Sequence, residues 1–299
     1  MTANFRGVMP ALVTPFTENG VDYPALRAHL DWQIASGVSS VLACGTTGES
    51  PTLTHDEHNQ VVASTVEIVN GRVPVLAGTG SNSTAEAINM SVHAKQVGAD
   101  GLLLVSPYYN KPTQDGLYRH FVSVAEAAGL PVILYNIPSR CGVNILPDTM
   151  ARLAAHELIV GVKEATGDLN QMIRTIELCG PDFLVTSGDD GLSLPLWAVG
   201  GCGVISVAAN IVPGPLVTMW RDWEAGKLDE ARKAFFRLLP FFKALFLETN
   251  PIPLKYLMGL SGSMSGLTRS PMFPPSEPVK KQLDAIAAEW SAHFPPKRG

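Results

Sequence analysis

The stretch Val73 to Val105, VPVLAGTGSNSTAEAINMSVHAKQVGADGLLLV, contains one full copy of the pattern that decides the fold. A short apolar run rich in β-branched residues, Val73 to Ala77, leads to Ser83 with Glu86 three residues later, the spacing of a helix-capping box. Gly98 sits where the intervening helix should stop, and a second apolar run, Gly101 to Val105, follows. A strand, a crossover helix and a return strand within roughly thirty residues make the second strand parallel to the first.

The unit recurs on both sides of this stretch. Val8 to Val13, Ser40 to Cys44, Val132 to Tyr135, Ile159 to Lys163, Phe183 to Thr186 and Val204 to Val207 bring the apolar runs to eight. Thr54 with Glu57 is a second capping signature, and Gly37, Gly71 and Gly129 mark further helix ends. Eight such units predict an α/β fold, a closed (β/α)8 TIM barrel of about 250 residues. A doubly wound sheet is the other arrangement, but no G-x-G-x-x-G follows the first strand. Beyond Gly226 the alternation stops, and Ala231, Phe235, Leu238, Phe242 and Leu245 recur at helical spacing, with Pro240 as the expected kink. Glu277 to His293 reads as one more helix after the Pro-rich turn Ser270 to Pro278. The expected organisation is a catalytic barrel over residues 1–226 and a C-terminal helical region over 227–299.

At 46% AVILMFWYC and 16% charged residues, the 299-residue chain is too apolar to be disordered. The balance of 22 Lys+Arg against 27 Asp+Glu leaves a formal charge of -5 with no basic block, so no nucleic-acid partner is expected. The N-terminal MTANFRGVMPALVTPF lacks the apolar core of a signal peptide, and a cytoplasmic location is expected. Gly191 to Trp220 carries no charge, yet Pro195, Pro213, Pro215, Asn210 and the Gly200-Gly201-Cys202-Gly203 cluster make it read as buried strand plus loops, not a membrane span. Cys44, Cys141, Cys179 and Cys202 are scattered without the close pairs of a zinc or redox site.

Barrels of this kind do their chemistry at the carboxyl ends of their strands. Thr46 and Thr47 follow the second run, Tyr109 follows the fourth, Tyr135 ends the fifth with Arg140 a few residues beyond, and Lys163 ends the sixth. Lys163 has two readings, a lysine snorkelling to solvent or a Schiff-base nucleophile. The second requires desolvation, because at a pKa of about 10.4 only on the order of one amine in 2,500 is neutral at pH 7. Tyr135, on the neighbouring strand, is a core tyrosine or a phenol that moves protons beside an imine. Thr46-Thr47, flanked by Gly45 and Gly48, is an ordinary turn or one that offers N–H groups to a carboxylate. His55 and His58 read as surface residues of a first helical turn, and their HDEH spacing is not that of a zinc pair. Asp189 and Asp190, after the seventh run, disfavour a phosphate-bearing substrate. Cys44 and Cys141 fall near the predicted mouth and are given no role.

Six motifs, in order, carry a resemblance: GTTGES (Gly45 to Ser50), SPYYNKP (Ser106 to Pro112), YNIPSR (Tyr135 to Arg140), GVKEATG (Gly161 to Gly167), SGDD (Ser187 to Asp190) and GVISV (Gly203 to Val207). Together they resemble the 4-hydroxy-tetrahydrodipicolinate (dihydrodipicolinate) synthases, a family of the pyruvate-dependent class I aldolase and N-acetylneuraminate lyase superfamily. The likeness extends to NPIPLK (Asn250 to Lys255). It implies a lyase of lysine and diaminopimelate biosynthesis that condenses pyruvate with L-aspartate 4-semialdehyde, without metal or organic cofactor. By that resemblance Lys163 forms the Schiff base, and Thr47 with neighbouring backbone amides holds the pyruvate carboxylate. Tyr135, Thr46 and Tyr109 form a proton relay, with Tyr109 reaching into a neighbouring subunit's site. Arg140 takes the semialdehyde carboxylate, and the Ile205 carbonyl and Gly188 line the site. Ser50, His55, His58, Asn82, Glu86 and Tyr108 match the family's allosteric pocket for L-lysine, a feedback inhibitor, at a dimer interface, and the implied assembly is a homotetramer, a dimer of dimers. A sister enzyme such as N-acetylneuraminate lyase would share the barrel, lysine and tyrosine, but Arg140 argues against it. A non-catalytic keto-acid-binding barrel is the remaining alternative, disfavoured because Lys163, Tyr135, Thr46 and Tyr109 are all retained.

Overall fold

The computed structural model describes residues 5–298. Strand β1 (Gly7–Pro10) precedes a short hairpin, β2 (Phe16–Thr17) and β3 (Gly20–Val21). Alternation then begins: α1 (Tyr23–Ala35), β4 (Val41–Ala43), α2 (His55–Val69), β5 (Val75–Gly78), α3 (Thr84–Gln96), β6 (Gly101–Val105) and α4 (Gln114–Ala128). It continues through β7 (Val132–Asn136), α5 (Pro138–Cys141), α6 (Pro147–Ala154), β8 (Ile159–Glu164), α7 (Leu169–Cys179), β9 (Leu184–Ser187), α8 (Ser193–Ala198), β10 (Gly203–Ser206) and α9 (Pro213–Glu224). Helices α10 (Leu228–Ala244), α11 (Ile252–Ser261) and α12 (Glu277–Trp290) close the chain. Apart from the hairpin, the strands belong to one eight-stranded sheet in the order β1-β10-β9-β8-β7-β6-β5-β4. The fold is the (β/α)8 barrel with C-terminal helices that the repeated unit predicts.

The chain divides into two compact units. The first takes in Pro74–Ile205 with Phe5 and Arg6. Its strands run parallel, β5 against β6, β6 against β7, β7 against β8 and β8 against β9. Val132, Ile133 and Leu134 in β7 and Val162 in β8 are fully buried, as the unbroken apolar runs of a covered parallel sheet require. Helix α3 departs from expectation at its start. Ser83 accepts from the Glu86 N–H, but the Glu86 carboxylate bonds to the Ser81 hydroxyl instead of closing back on the Ser83 backbone. Only half of the expected capping box is made, because a nearer hydroxyl takes the carboxylate.

The second unit takes in Gly7–Val73 and the chain from Ser206 onward. Here the Thr54 box is complete: Thr54 Oγ1 accepts from Glu57 N at 3.2 Å, and Glu57 Oε2 accepts from Thr54 N at 3.0 Å. A parallel bridge joins Ala11 to Leu42. Ala231, Phe235, Leu238 and Phe242 are buried along α10, which continues through Pro240 without ending, and Leu245 is buried at its C-cap. An interior proline costs about 3 kcal/mol, whereas each buried Leu or Phe contributes roughly 1.5 to 3 kcal/mol, so packing outweighs the lost hydrogen bond.

Gly191 to Trp220 is more helical than its prolines suggest. It holds α8, β10 and most of α9, and Pro213 begins α9, within the turn that has no use for an N–H donor. No helix among the described residues is long and apolar enough to cross a membrane.

Candidate active site

The first unit carries Lys163. In the β7–β8 register Tyr135 lies opposite Lys163 and Asn136 opposite Glu164, so alternation turns the lysine and tyrosine to one face and the amide and carboxylate to the other. Lys163 is only 4% exposed, and its Nζ is 4.3 Å from the centroid of the Tyr135 ring. Burial pushes the amine down to about 7, with the Asp190 carboxylate opposing that shift and the Arg140 guanidinium adding to it. The snorkelling reading of Lys163 therefore fails. Tyr135 is buried as well, and Asp190, expected only to repel phosphate, is buried within electrostatic reach of the amine.

Gly188 follows β9. A Cβ there would lie 2.7 Å from Ala165 Cβ and 3.1 Å from both Cγ and Cε of Lys163, so the missing side chain is the room in which the lysine lies. Ile205 is fully buried in β10. On the other face, Asn136 Oδ1 accepts from Ile145 N at 3.0 Å, while its Nδ2 donates to Asn144 Oδ1 at 2.9 Å and Glu164 Oε2 at 3.3 Å. These bonds close the loop that carries Arg140, an exposed residue of α5. Tyr109 stands on a loop with a left-handed backbone, φ 70°, and is 89% exposed. The same loop is tied down by Asn110, whose Nδ2 donates to Asn82 O at 2.8 Å. Glu86 lies close enough to Tyr108 that its charge, after burial, raises the phenol's pKa.

The second unit carries the Gly45–Glu49 turn. Thr46 is half-buried and Thr47 buried, with Thr47 Oγ1 accepting from Asn250 Nδ2 at 3.0 Å. Thr14 Oγ1 donates to Gly48 O at 2.7 Å. Cys44 and Glu49 bracket the turn at φ 55° and 53°, left-handed conformations that cost a non-glycine residue about 1 to 2 kcal/mol each. Ser50 opens a single 3-10 turn and His55 begins α2, exposed as expected. His58 does not fit its expectation: the fourth residue of α2 is 3% exposed, on the helix face that also buries Val61, Val62 and Thr65, and Cys44 Sγ donates to its backbone carbonyl at 3.7 Å. Burial raises the Cys44 thiol and pushes Cys141 up to about 11, so both stay protonated at neutral pH. No group of three or more His, Cys, Asp or Glu among the described residues is placed to hold a metal ion.

Asn250, Lys255 and Glu49 carry no signal in the sequence for the contacts they make, and Asp190 signals only a site ill suited to phosphate. Each lies in a quoted motif, but nothing in the spacing tells what its side chain meets.

The model of the dihydrodipicolinate synthetase family matches residues 4–290. A 4-hydroxy-tetrahydrodipicolinate synthase of Geotalea daltonii is 51% identical over 286 residues, which is 96% of this chain and 99% of that protein. Among solved structures, a chloride-inhibited dihydrodipicolinate synthase from Acinetobacter baumannii, complexed with pyruvate, superposes with a TM-score of 0.94 at 40% identity, covering 96% of this chain and 99% of the other. A synthase of the same kind from Cyanidioschyzon merolae, with lysine bound, gives 0.92 at 40% identity, covering 95% and 97%.

Proposed function

The chain belongs to the dihydrodipicolinate synthetase family, and from that premise we propose that it condenses pyruvate with L-aspartate 4-semialdehyde through a Schiff base on Lys163. The product is 4-hydroxy-tetrahydrodipicolinate, for lysine and diaminopimelate biosynthesis. One observation carries this reading: an amine at a strand end, buried beside a tyrosine and pushed down to about 7. About half of such an amine is neutral and nucleophilic at pH 7, against on the order of one in 2,500 for an ordinary lysine.

The neutral amine attacks the keto carbon of pyruvate, and the resulting carbinolamine loses water to give an iminium. That iminium is the electron sink: the methyl group gives up a proton, and the enamine carbon attacks the aldehyde of the second substrate. The substrate's own amine then displaces Lys163 at the imine carbon, closing the ring and freeing the enzyme. These steps draw on no metal or organic cofactor. Tyr135, with Thr46 and Tyr109, moves the protons. Thr47 and adjacent backbone amides take the pyruvate carboxylate, Arg140 takes that of the semialdehyde, and Gly188 and the Ile205 carbonyl line the site. Arg140 is exposed, and its planar guanidinium suits a carboxylate that arrives from solvent.

We assign the catalytic barrel to residues 1–226, with 227–299 as a helical region, in a cytoplasmic homotetramer built as a dimer of dimers. The exposed Tyr109 supports this, since a relay tyrosine so open to solvent suits a neighbouring subunit's site. L-lysine is the feedback inhibitor, held by Ser50, His55, His58, Asn82, Glu86 and Tyr108; the lysine-bound relative supports it.

Pyruvate with borohydride should leave a reduced adduct on Lys163, and Lys163→Ala should leave none. Turnover of pyruvate with the semialdehyde, beside no cleavage of N-acetylneuraminate, separates this reading from the sister lyase. An unmodified parent protein by mass spectrometry would sink it.

A further inference from the structure

The NPIPLK segment, Asn250 to Lys255, takes no part in the chemistry above, yet within the second unit it grips the Gly45–Glu49 turn at two points. The first is the Asn250 bond to Thr47 Oγ1. The second is Lys255, wholly buried, whose ammonium pairs with Glu49 Oε1 and donates to Leu267 O at 2.9 Å. Its Nζ also lies 4.0 Å from the centroid of the Phe16 ring. The second oxygen of Glu49 accepts from Arg269 N at 2.9 Å. Arg269 in turn holds both oxygens of Glu57 at 2.6 Å and donates to Thr52 O at 3.0 Å, which ties the turn to the start of α2.

An ion pair buried this deeply adds little net stability, because desolvation offsets attraction and an apolar pair of similar volume often does as well. What it fixes is direction. A carboxylate held from Lys255 Nζ and Arg269 N–H sets the side chain of Glu49, and with it a left-handed backbone that a non-glycine residue keeps only when its surroundings over-determine it. Thr47 lies two residues before Glu49, across Gly48, and a relaxation of Glu49 would be passed to it through that single residue.

We infer that Lys255 and Glu49 are a positioning pair for pyruvate binding: their buried ion pair locks the Gly45–Glu49 turn in the conformation that presents Thr47 and its adjacent backbone amides to the keto acid's carboxylate. The inference rests on the assignment of that turn to pyruvate. Neither residue touches the reacting atoms, so the signature lies in pyruvate affinity and not in the chemical step.

The test compares Lys255→Met, Glu49→Gln and the double variant in the full chain. Either single change leaves a buried group unpaired and could prevent folding; the double leaves no unpaired charge and answers the question alone. In the double variant, KM for pyruvate should rise roughly tenfold or more, and the pyruvate concentration for half-maximal borohydride trapping should rise in step. Its kcat at saturating pyruvate and its KM for the semialdehyde should stay within about twofold of the parent. Single variants that fold should show pyruvate effects that do not multiply in the double, as for partners acting together. A double variant with the parent's KM for pyruvate, or with equal losses for both substrates, overturns the inference. A parent that traps no pyruvate overturns the assigned activity, and the inference falls with it.

Discussion

Tyr135 and Lys163 are register partners on adjacent parallel strands, and the lysine Nζ lies 4.3 Å from the tyrosine's ring centroid. Because strand register fixes both Cα positions, the pair needs no loop to assemble it. A rigid sheet therefore holds the proposed nucleophile beside its proposed proton carrier before substrate arrives, the condition under which positioning lowers a barrier most.

The pH profile should report that amine. Lys163 must be neutral to attack, and since burial brings it down to about 7, kcat/KM for pyruvate should rise with pH through about 7 and fall away below as the amine protonates. The Asp190 carboxylate favours the ammonium, so Asp190→Asn should move this acid limb to lower pH. A limb that stays in place or moves up assigns the titration to another group.

Gly188→Ala should act through Lys163. The new Cβ would stand 3.1 Å from two lysine carbons and 2.7 Å from Ala165 Cβ, and the lysine stem is the part free to give way. Displacing a nucleophile by about an ångström can cost on the order of a hundredfold, so pyruvate trapping should slow by that order while the melting temperature changes little. Trapping at the parent's rate would mean that the stem relaxes without moving the amine.

Arg140→Ala should separate the two substrates. A lost hydrogen bond to a charged group costs about 1.5 to 3 kcal/mol, which lowers kcat/KM for the semialdehyde by roughly ten- to a hundredfold. The imine with pyruvate should still form. Because the guanidinium disfavours the charged amine, its removal should also move the acid limb to higher pH. Equal losses for both substrates with a lower melting temperature would make Arg140 a brace for its loop.

Millimolar L-lysine should inhibit the parent, and Glu86→Ala should relieve the inhibition while leaving pyruvate kinetics nearly intact. Glu86 is half-buried, bonded to Ser81 and close to Tyr108, and a carboxylate in such a place suits an ammonium ligand. Steady-state rates that do not respond to saturating lysine would return Glu86 to the role of a helix-start residue.

Much of this protein could be read in one dimension. The eight strand-helix units, the complete box at Thr54 and Glu57, the buried face of α10 and the placing of Tyr135 and Lys163 on neighbouring strands all follow from periodicity and capping, which act over a few residues. The prolines of α9 and the half-made box at Ser83 mark where this reading weakens. Proline suits both a loop and a helix start, and a carboxylate takes whichever donor folding brings nearest.

The rest was decided by tertiary structure. The burial of His58, the depressed pKa of Lys163, the room left by Gly188, and the bond from Asn250 to Thr47 across 203 residues depend on which atoms surround a group. The sequence determined which residues stand at the ends of strands, because backbone geometry repeats along the chain. Only the folded protein decided which of them lose their water and gain a partner, because desolvation and long-range pairing depend on distance in space and have no fixed spacing in sequence.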